Sequence, residues 1–195
     1  MDNNLMGDKP IVQLAKKLQT KKAPKIEILN LSELNLSVNS MEELSKAIAF
    51  SPNLKELDLT GNFRLSPIGA KFLAKGIKAN KSLRKVVARY CDFGDEGIFA
   101  LVDAVMEHGN IEHLDIMWNG MSNKGSSAIA TLLRVNRKLK YLNIKKNKLD
   151  TMGMGEIAEA IENNFVIQEV IYENSRIHTD SRIDSLLSRN RRSQN

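Results

Sequence analysis

Leu54-Lys55-Glu56-Leu57-Asp58-Leu59-Thr60-Gly61-Asn62 places three apolar residues at spacings of three and two, then an asparagine three positions on. The spacing returns along the chain. Its first position recurs as Ile26, Leu54, Leu83, Ile111, Leu139 and Ile167, at intervals of 28, 29, 28, 28 and 28. The second recurs as Leu29, Leu57, Val86, Leu114, Leu142 and Val170, and the third as Leu31, Leu59, Ala88, Ile116, Ile144 and Tyr172. Eight residues after each first position stand Leu34, Asn62, Cys91, Asn119, Asn147 and Ser175. Six units in register make an internal repeat, and such a period belongs to stacked, solenoid-like architectures.

Each unit also changes period internally. Alternation at its start predicts a short strand, whose side chains point to opposite faces. An apolar marker follows (Leu36, Leu65, Phe93, Met121, Leu149, Ile177). Helix-spaced pairs come next: Leu44/Ile48, Leu73/Ile77, Leu101/Val105, Ile129/Leu133 and Ile157/Ile161. Each pair predicts one inward-facing helical stripe. Ser40 with Glu43 is read as a capping box, and Ser66-Pro67 as a cap before a first-turn proline. Gly69, Gly97, Gly125 and Gly153 recur at intervals of 28; a side chain there would obstruct either close packing or a turn.

The Leu-x-x-Leu-x-Leu-x-x-Asn/Cys-x-Leu spacing resembles the leucine-rich repeat, and the helical unit resembles its ribonuclease-inhibitor-like subtype. The resemblance covers residues 26–177. It implies an α/β leucine-rich-repeat solenoid with a parallel sheet on the concave side and helices on the convex side. It also implies that Asn62, Asn119 and Asn147 form a ladder of side-chain bonds between repeats, with Cys91 as a tolerated substitute. Leu34 and Ser175 depart from the pattern, as terminal repeats do. Residues 1–25 are expected to form an N-terminal helical cap over the first strand. The units start near 26, 54, 83, 111, 139 and 167. Residues 178–195 are expected to form a C-terminal cap helix, starting at Thr179-Asp180, and a basic polar tail.

Composition narrows the function. The 195 residues are 42% hydrophobic and 27% charged, which suits a globular chain. No run approaches the length that spans a bilayer. Residues 1–8 contain no apolar segment of signal-peptide type. One cysteine excludes an intramolecular disulfide and fits a reducing compartment, so a cytoplasmic location is expected, or a host cell's cytosol for a delivered microbial effector. The net charge of +6 divides into +4 in residues 1–25 and +3 in residues 176–195, leaving −1 between them. Nucleic-acid binding concentrates basic charge on a folded surface, and here it sits in the two ends as solvated segments.

The residues between the apolar strand positions form three lanes on the concave face. They read Ile28, Glu56, Lys85, His113, Tyr141, Glu169; then Asn30, Asp58, Val87, Asp115, Asn143, Ile171; then Ser32, Thr60, Arg89, Met117, Lys145, Glu173. Just past the third lane come Glu33, Gly61, Tyr90, Trp118, Lys146 and Asn174. The expected partner-binding patch is Arg89, Tyr90, His113, Asp115, Met117, Trp118, Tyr141, Lys145 and Lys146, because aromatic residues and arginine anchor interfaces. Folding of Tyr90 and Trp118 over the strand ends is the structural alternative. A second patch of Glu56, Asp58 and Thr60 is acidic.

Cys91, His113 and Asp115 invite comparison with a nucleophile, base and acid. The ladder position turns Cys91 inward while His113 faces the concavity, which would leave the thiol near its ordinary pKa. No phosphate-binding loop is present, and His108, His113 and His178 do not converge as metal ligands, so no cofactor or metal is expected. The expected function is therefore non-catalytic: a protein-binding module, monomeric on its own. Its expected partner is another protein, such as an enzyme with an acidic rim around an apolar pocket, and resemblance to the ribonuclease-inhibitor-like subtype implies inhibition by occlusion. The repeat type also resembles leucine-rich modules that regulate actin or small GTPases, which implies the alternative of such a regulator, with Arg89 acting on the nucleotide site. The third reading is a scaffold assembling through its ends.

Overall fold

The computed structural model describes residues 8–20, 25–173 and 181–192. Its first helix, α1, spans Asp8–Leu18. Strand and helix then alternate: β1 Ile28–Asn30, α2 Val38–Ala49, β2 Glu56–Asp58, α3 Ser66–Ala79, β3 Lys85–Val87, α4 Gly94–His108, β4 His113–Asp115, α5 Asn123–Val135, β5 Tyr141–Asn143, α6 Thr151–Glu162, β6 Glu169–Ile171 and α7 Ser181–Arg192. The six strands form one parallel sheet in chain order. Its register aligns Ile28, Glu56, Lys85, His113, Tyr141 and Glu169 across the whole sheet. The expected α/β solenoid is the observed fold.

One interior runs between sheet and helices. The five helix-spaced pairs are all buried, as are the strand residues Leu57, Val86, Leu114 and Leu142. Burying each such side chain contributes about 1.5–3 kcal/mol, so stacking the repeats stabilises what no single repeat holds alone. The four periodic glycines resolve as a packing requirement. A Cβ on Gly97 would stand 2.8 Å from Ala70 Cβ and 2.9 Å from Phe93 Cβ, and one on Gly153 would stand 2.5 Å from Asn123 Oδ1.

The ladder ties each turn to its neighbour. Asn62 Nδ2 donates to the carbonyls of Leu31 (2.9 Å) and Leu59 (2.7 Å), while its Oδ1 accepts from the Leu36 N–H at 3.0 Å. Asn147 repeats this toward Ile116 and Ile144, accepting from the amides of Asn119 and Met121. Asn119 bridges to Ala88 O at 2.7 Å and accepts from Cys91 and Phe93.

A second ladder runs along the opposite ends of the helices, at Ser51, Asn80, His108, Asn136 and Asn164. Asn80 Nδ2 donates to Ile48 O and Ser51 O, and its Oδ1 accepts from the amides of Ser82 and Leu83. Asn164 does the same toward Leu133 and Asn136, with Val166 and Ile167 as donors to its Oδ1. Asn190 of α7 continues the series, donating to Asn164 O and Ile167 O.

Local details depart from the expectations. Ser37, not Ser40, caps α2: its hydroxyl accepts from the amides of Asn39 and Ser40. Ser40 is buried inside the helix and donates its hydroxyl to Ser37 O at 2.9 Å. Ser66 contributes no side-chain cap to α3, although Pro67 does occupy its first turn. α1 packs beside α2 and leaves Ile28 of β1 65% exposed. Residues 188–192 belong to α7 and are not a free tail. Asn190 is fully buried, and Arg189 donates to the carbonyls of Ile161, Glu162 and Asn164 while lying 4.2 Å over the Phe165 ring. Residues 1–7, Asn174, Ser175, Ile177, His178 and the Thr179-Asp180 helix start lie outside the described residues.

Candidate binding face

The strands bring the predicted patch together, and its side chains sort into three kinds. The central lane is structural. Val87, Asp115 and Asn143 are 6%, 0% and 4% exposed, so Asp115 is not available to a partner as expected. The Oδ1 atoms of Asn30, Asp58, Asp115 and Asn143 each accept from the amide two residues on, those of Ser32, Thr60, Met117 and Lys145, at 2.8–3.2 Å. This side-chain turn ends the strand. The same polar residue type at one repeat position was a readable signal of that role.

Side chains of the outer lanes pair along their own lane or with the central one. Arg89 places Nε and Nη2 each 2.7 Å from Asp115 Oδ2, which also accepts from Asn143 Nδ2 at 3.0 Å. This contact raises the Arg89 pKa further and engages the guanidinium within the face. Lys85 pairs with Glu56 at 3.1 Å and Lys145 with Glu173 at 2.8 Å. Among the described residues, Lys146 is the patch cation that forms no ion pair within 4 Å. His113 stacks on Tyr141 with ring centroids 3.9 Å apart and planes 5° from parallel. Burial, with Lys85 as the next cause, holds the imidazole below its ordinary pKa. Burial likewise raises the Tyr141 phenol.

The third kind stands at the strand ends. Glu33, Gly61, Tyr90, Trp118 and Lys146 all adopt left-handed backbone, with φ of 57°, 79°, 54°, 52° and 61°. Glycine enters this region freely, whereas a bulky residue there costs about 1–2 kcal/mol. Each is held by its own N–H, which donates to the following repeat: Glu33 to Thr60 O, Gly61 to Arg89 O, Tyr90 to Met117 O, Trp118 to Lys145 O and Lys146 to Glu173 O. This geometry sends the side chains outward along the rim, and Trp118 is 52% exposed. It does not fold over to complete local packing.

Phe63 joins them, and it was not among the expected residues. The interval of 29 after Leu54 contains one extra residue, and the structure places it in the 3-10 turn Phe63–Leu65 directly after the ladder asparagine. Phe63 is thereby 62% exposed and stands 6.5 Å from the Tyr90 ring, edge-on at 66°. Tyr90 in turn stands 5.5 Å from Trp118 at 32°. The longer interval was the signal that could have located it.

The Cys91, His113 and Asp115 set is not assembled. Cys91 is buried, with Sγ 3.2 Å from Leu59 O and 3.3 Å from Arg89 O. Burial pushes its pKa up to about 12, far from the ordinary value expected. Among the described residues no three His, Cys, Asp or Glu side chains are grouped to hold a metal ion, and no helix is long and apolar enough to cross a membrane.

Comparison with known proteins agrees with this architecture. A family model described as Leucine Rich repeat matches residues 50–74, 79–102, 110–130 and 135–158. The chain is 30% identical over 141 residues to NACHT, LRR and PYD domains-containing protein 5 of Bos taurus, covering 71% of this chain and 13% of that protein. It is 25% identical over 172 residues to the ribonuclease inhibitor of Mus musculus, covering 87% of this chain and 37% of that protein. The ribonuclease inhibitor of Sus scrofa is 24% identical, with 83% and 42% covered. The chain thus spans less than half the length of these relatives. Among solved structures, leiomodin-1 actin-binding site 2 superposes with a TM-score of 0.55 at 18% identity, over 96% of this chain and 90% of that one. The tropomodulin C-terminal domain of Caenorhabditis elegans gives 0.58 at 14%, over 94% and 95%. At such identities the likeness is one of fold.

Proposed function

Because the chain is a leucine-rich-repeat protein of ribonuclease-inhibitor-like type, we propose that it is a non-catalytic module that grips a protein partner along its concave face and strand-end rim. The observation that carries this reading is the rim itself. Tyr90 and Trp118 occupy a backbone position that favours glycine, the residue the second repeat has there. They remain there with Trp118 half exposed. Bulky residues kept in an unfavourable conformation at an open surface mark a functional constraint more than a packing one. Large aromatic side chains also provide contact area with few rotors to freeze.

The partner the face fits is more apolar than the composition of the patch suggests. Arg89 and Lys145 are already neutralised by Asp115 and Glu173, which leaves Lys146 to meet an acidic group. Six strands span roughly 29 Å, enough to approach the roughly 800 Å² per partner of a standard interface. Occlusion of an enzyme's active site is the form this binding takes in our reading, by similarity to the ribonuclease inhibitors.

Affinity capture from a lysate, comparing wild type with a folded Trp118→Ala/Tyr141→Ala double variant, tests the proposal. A partner lost with the variant places recognition on this face. A partner retained by both moves recognition to the convex helices or the ends. Actin warrants a direct polymerisation assay, since the fold is shared with an actin-binding site of leiomodin-1; an unchanged time course removes that partner.

A further inference from the structure

The rim has a spacing that says more about its ligand. Phe63, Tyr90 and Trp118 make a row of three rings on consecutive repeats, with centroids 6.5 and 5.5 Å apart. The rings are neither parallel nor coplanar, standing at 66° and 32° to their neighbours, so the row is a stepped aromatic ridge and not a flat platform. An extended polyproline II segment advances about 3.1 Å per residue, hence about 6.2 Å per dipeptide. One dipeptide of such a segment matches one ring interval. Its backbone is already fixed before binding, so little entropy is lost on docking.

A nucleobase fits poorly. Insertion between two rings needs parallel faces roughly 6.8 Å apart, twice the rise of stacked bases. The Tyr90–Trp118 pair is too close for that, and the Phe63–Tyr90 pair is edge-on. The concave lanes beside the row are also internally neutralised by the Lys85–Glu56, Arg89–Asp115 and Lys145–Glu173 pairs, and offer no continuous basic track. At the next position beyond Trp118 stands Lys146, exposed and without an ion pair among the described residues.

From this geometry we infer that the Phe63–Tyr90–Trp118 row is a docking site for a proline-rich segment of a partner protein, with an acidic residue of that segment lying at the Lys146 end. The inference rests on the protein-binding reading above and names the partner's chemistry.

Trp118 is the sole tryptophan, so its emission reports directly on the row. The probes are decaproline and decaproline extended by two glutamates, with a glycine-serine peptide of equal length as reference. Both proline peptides are expected to give a saturable change in Trp118 emission, with the acidic one binding more tightly. Lys146→Ala is expected to erase the difference between them. Tyr90→Gly removes the central ring and leaves the residue that the second repeat carries at the same position, Gly61 with φ 79°. That variant is expected to retain the wild-type circular dichroism and to bind about tenfold more weakly, the effect of one aromatic contact.

Absence of a saturable change with either proline peptide overturns the inference, as does wild-type affinity in folded Tyr90→Gly. So does a saturable response to oligouridylate in place of the peptides, which would assign the row to nucleic acid. If a captured partner depends on Trp118 while the proline peptides fail, the binding-face reading stands and the proline-rich class falls. If neither behaves as expected, both fall.

Discussion

His108 stands in the second ladder where Asn80, Asn136 and Asn164 stand in other repeats, and it fills the position imperfectly. Its Nδ1 accepts from the Asn110 N–H at 3.3 Å, which puts the imidazole proton on Nε2. Among the described residues that buried Nε2 has no hydrogen-bond partner. A buried donor left unsatisfied costs about 1–3 kcal/mol. An asparagine would replace the Nδ1 acceptor with Oδ1 and aim Nδ2 at the carbonyls closing α3. His108→Asn is therefore expected to stabilise the protein by about 1 kcal/mol, raising Tm by roughly 2–4 °C. Burial, then the charges of Lys81 and Arg84, hold the His108 pKa below its ordinary value of 6.5. The unfolded chain consequently binds a proton more readily at this site. The folded state loses stability as pH falls below 6.5, and the loss levels off below the folded-state pKa. Melts at about pH 7.5 and about pH 5 should show the variant's advantage growing in acid. The ladder position was legible, since Asn80, Asn136 and Asn164 keep the 28-residue register. What the sequence does not reveal is that the imidazole's second nitrogen meets no acceptor, which depends on a side-chain direction.

At the scale of elements, two helix starts are held by a carboxylate of the helix before them. Asp95, in the first turn of α4, accepts from the Ser122 N–H at 2.7 Å, the Ser122 hydroxyl at 2.6 Å and the Gly125 N–H at 3.1 Å. Asp8 of α1 does the same for Ser37 at the start of α2. A carboxylate there satisfies orphan amides and complements the helix dipole. The Ser37 hydroxyl, the largest influence on Asp8, holds its carboxyl below the usual value. Its contribution is present above the ordinary Asp pKa and is lost as pH falls through the lowered one. Asp95→Ala is expected to cost about 1–2 kcal/mol. It should also speed hydrogen exchange at the Ser122–Gly125 amides while leaving the far end of α5 unchanged; uniform acceleration would refute the local account. The elements themselves were readable because apolar periodicity switches from two to nearly four within each repeat. Their starts were misread at Ser40 because a serine followed three residues later by glutamate also occurs inside the helix, three residues after the true cap, Ser37.

Across the whole molecule, repetition made the fold legible and left the site half legible. The lanes could be assigned from alternation alone. That Arg89 would spend its charge on Asp115, or that an inserted residue would bring Phe63 to the rim, depends on contacts between repeats that no single repeat displays. The charge distribution bears on assembly. With +4 in residues 1–25 and +3 in residues 176–195, stacking one copy's end on another's opposes like charges. Light scattering at low salt is expected to find a monomer, and end-to-end association should appear, if at all, only as salt is added. The ladders give the array a direction as well. Asn62 completes a turn whose bonded groups, at Leu31 and Leu36, lie 31 and 26 residues earlier, and Asn80, Asn119, Asn147 and Asn164 also reach backward. At both ladders each turn is thus closed by the following unit. During synthesis a newly emerged repeat waits, its carbonyls uncommitted, until the next one arrives. Removing the first unit leaves the turns closed by Asn119 and Asn147 intact, whereas removing the unit that carries Asn147 frees the Ile116 carbonyl and the amides of Asn119 and Met121, so at these turns shortening from the C-terminal side should be the more damaging of the two.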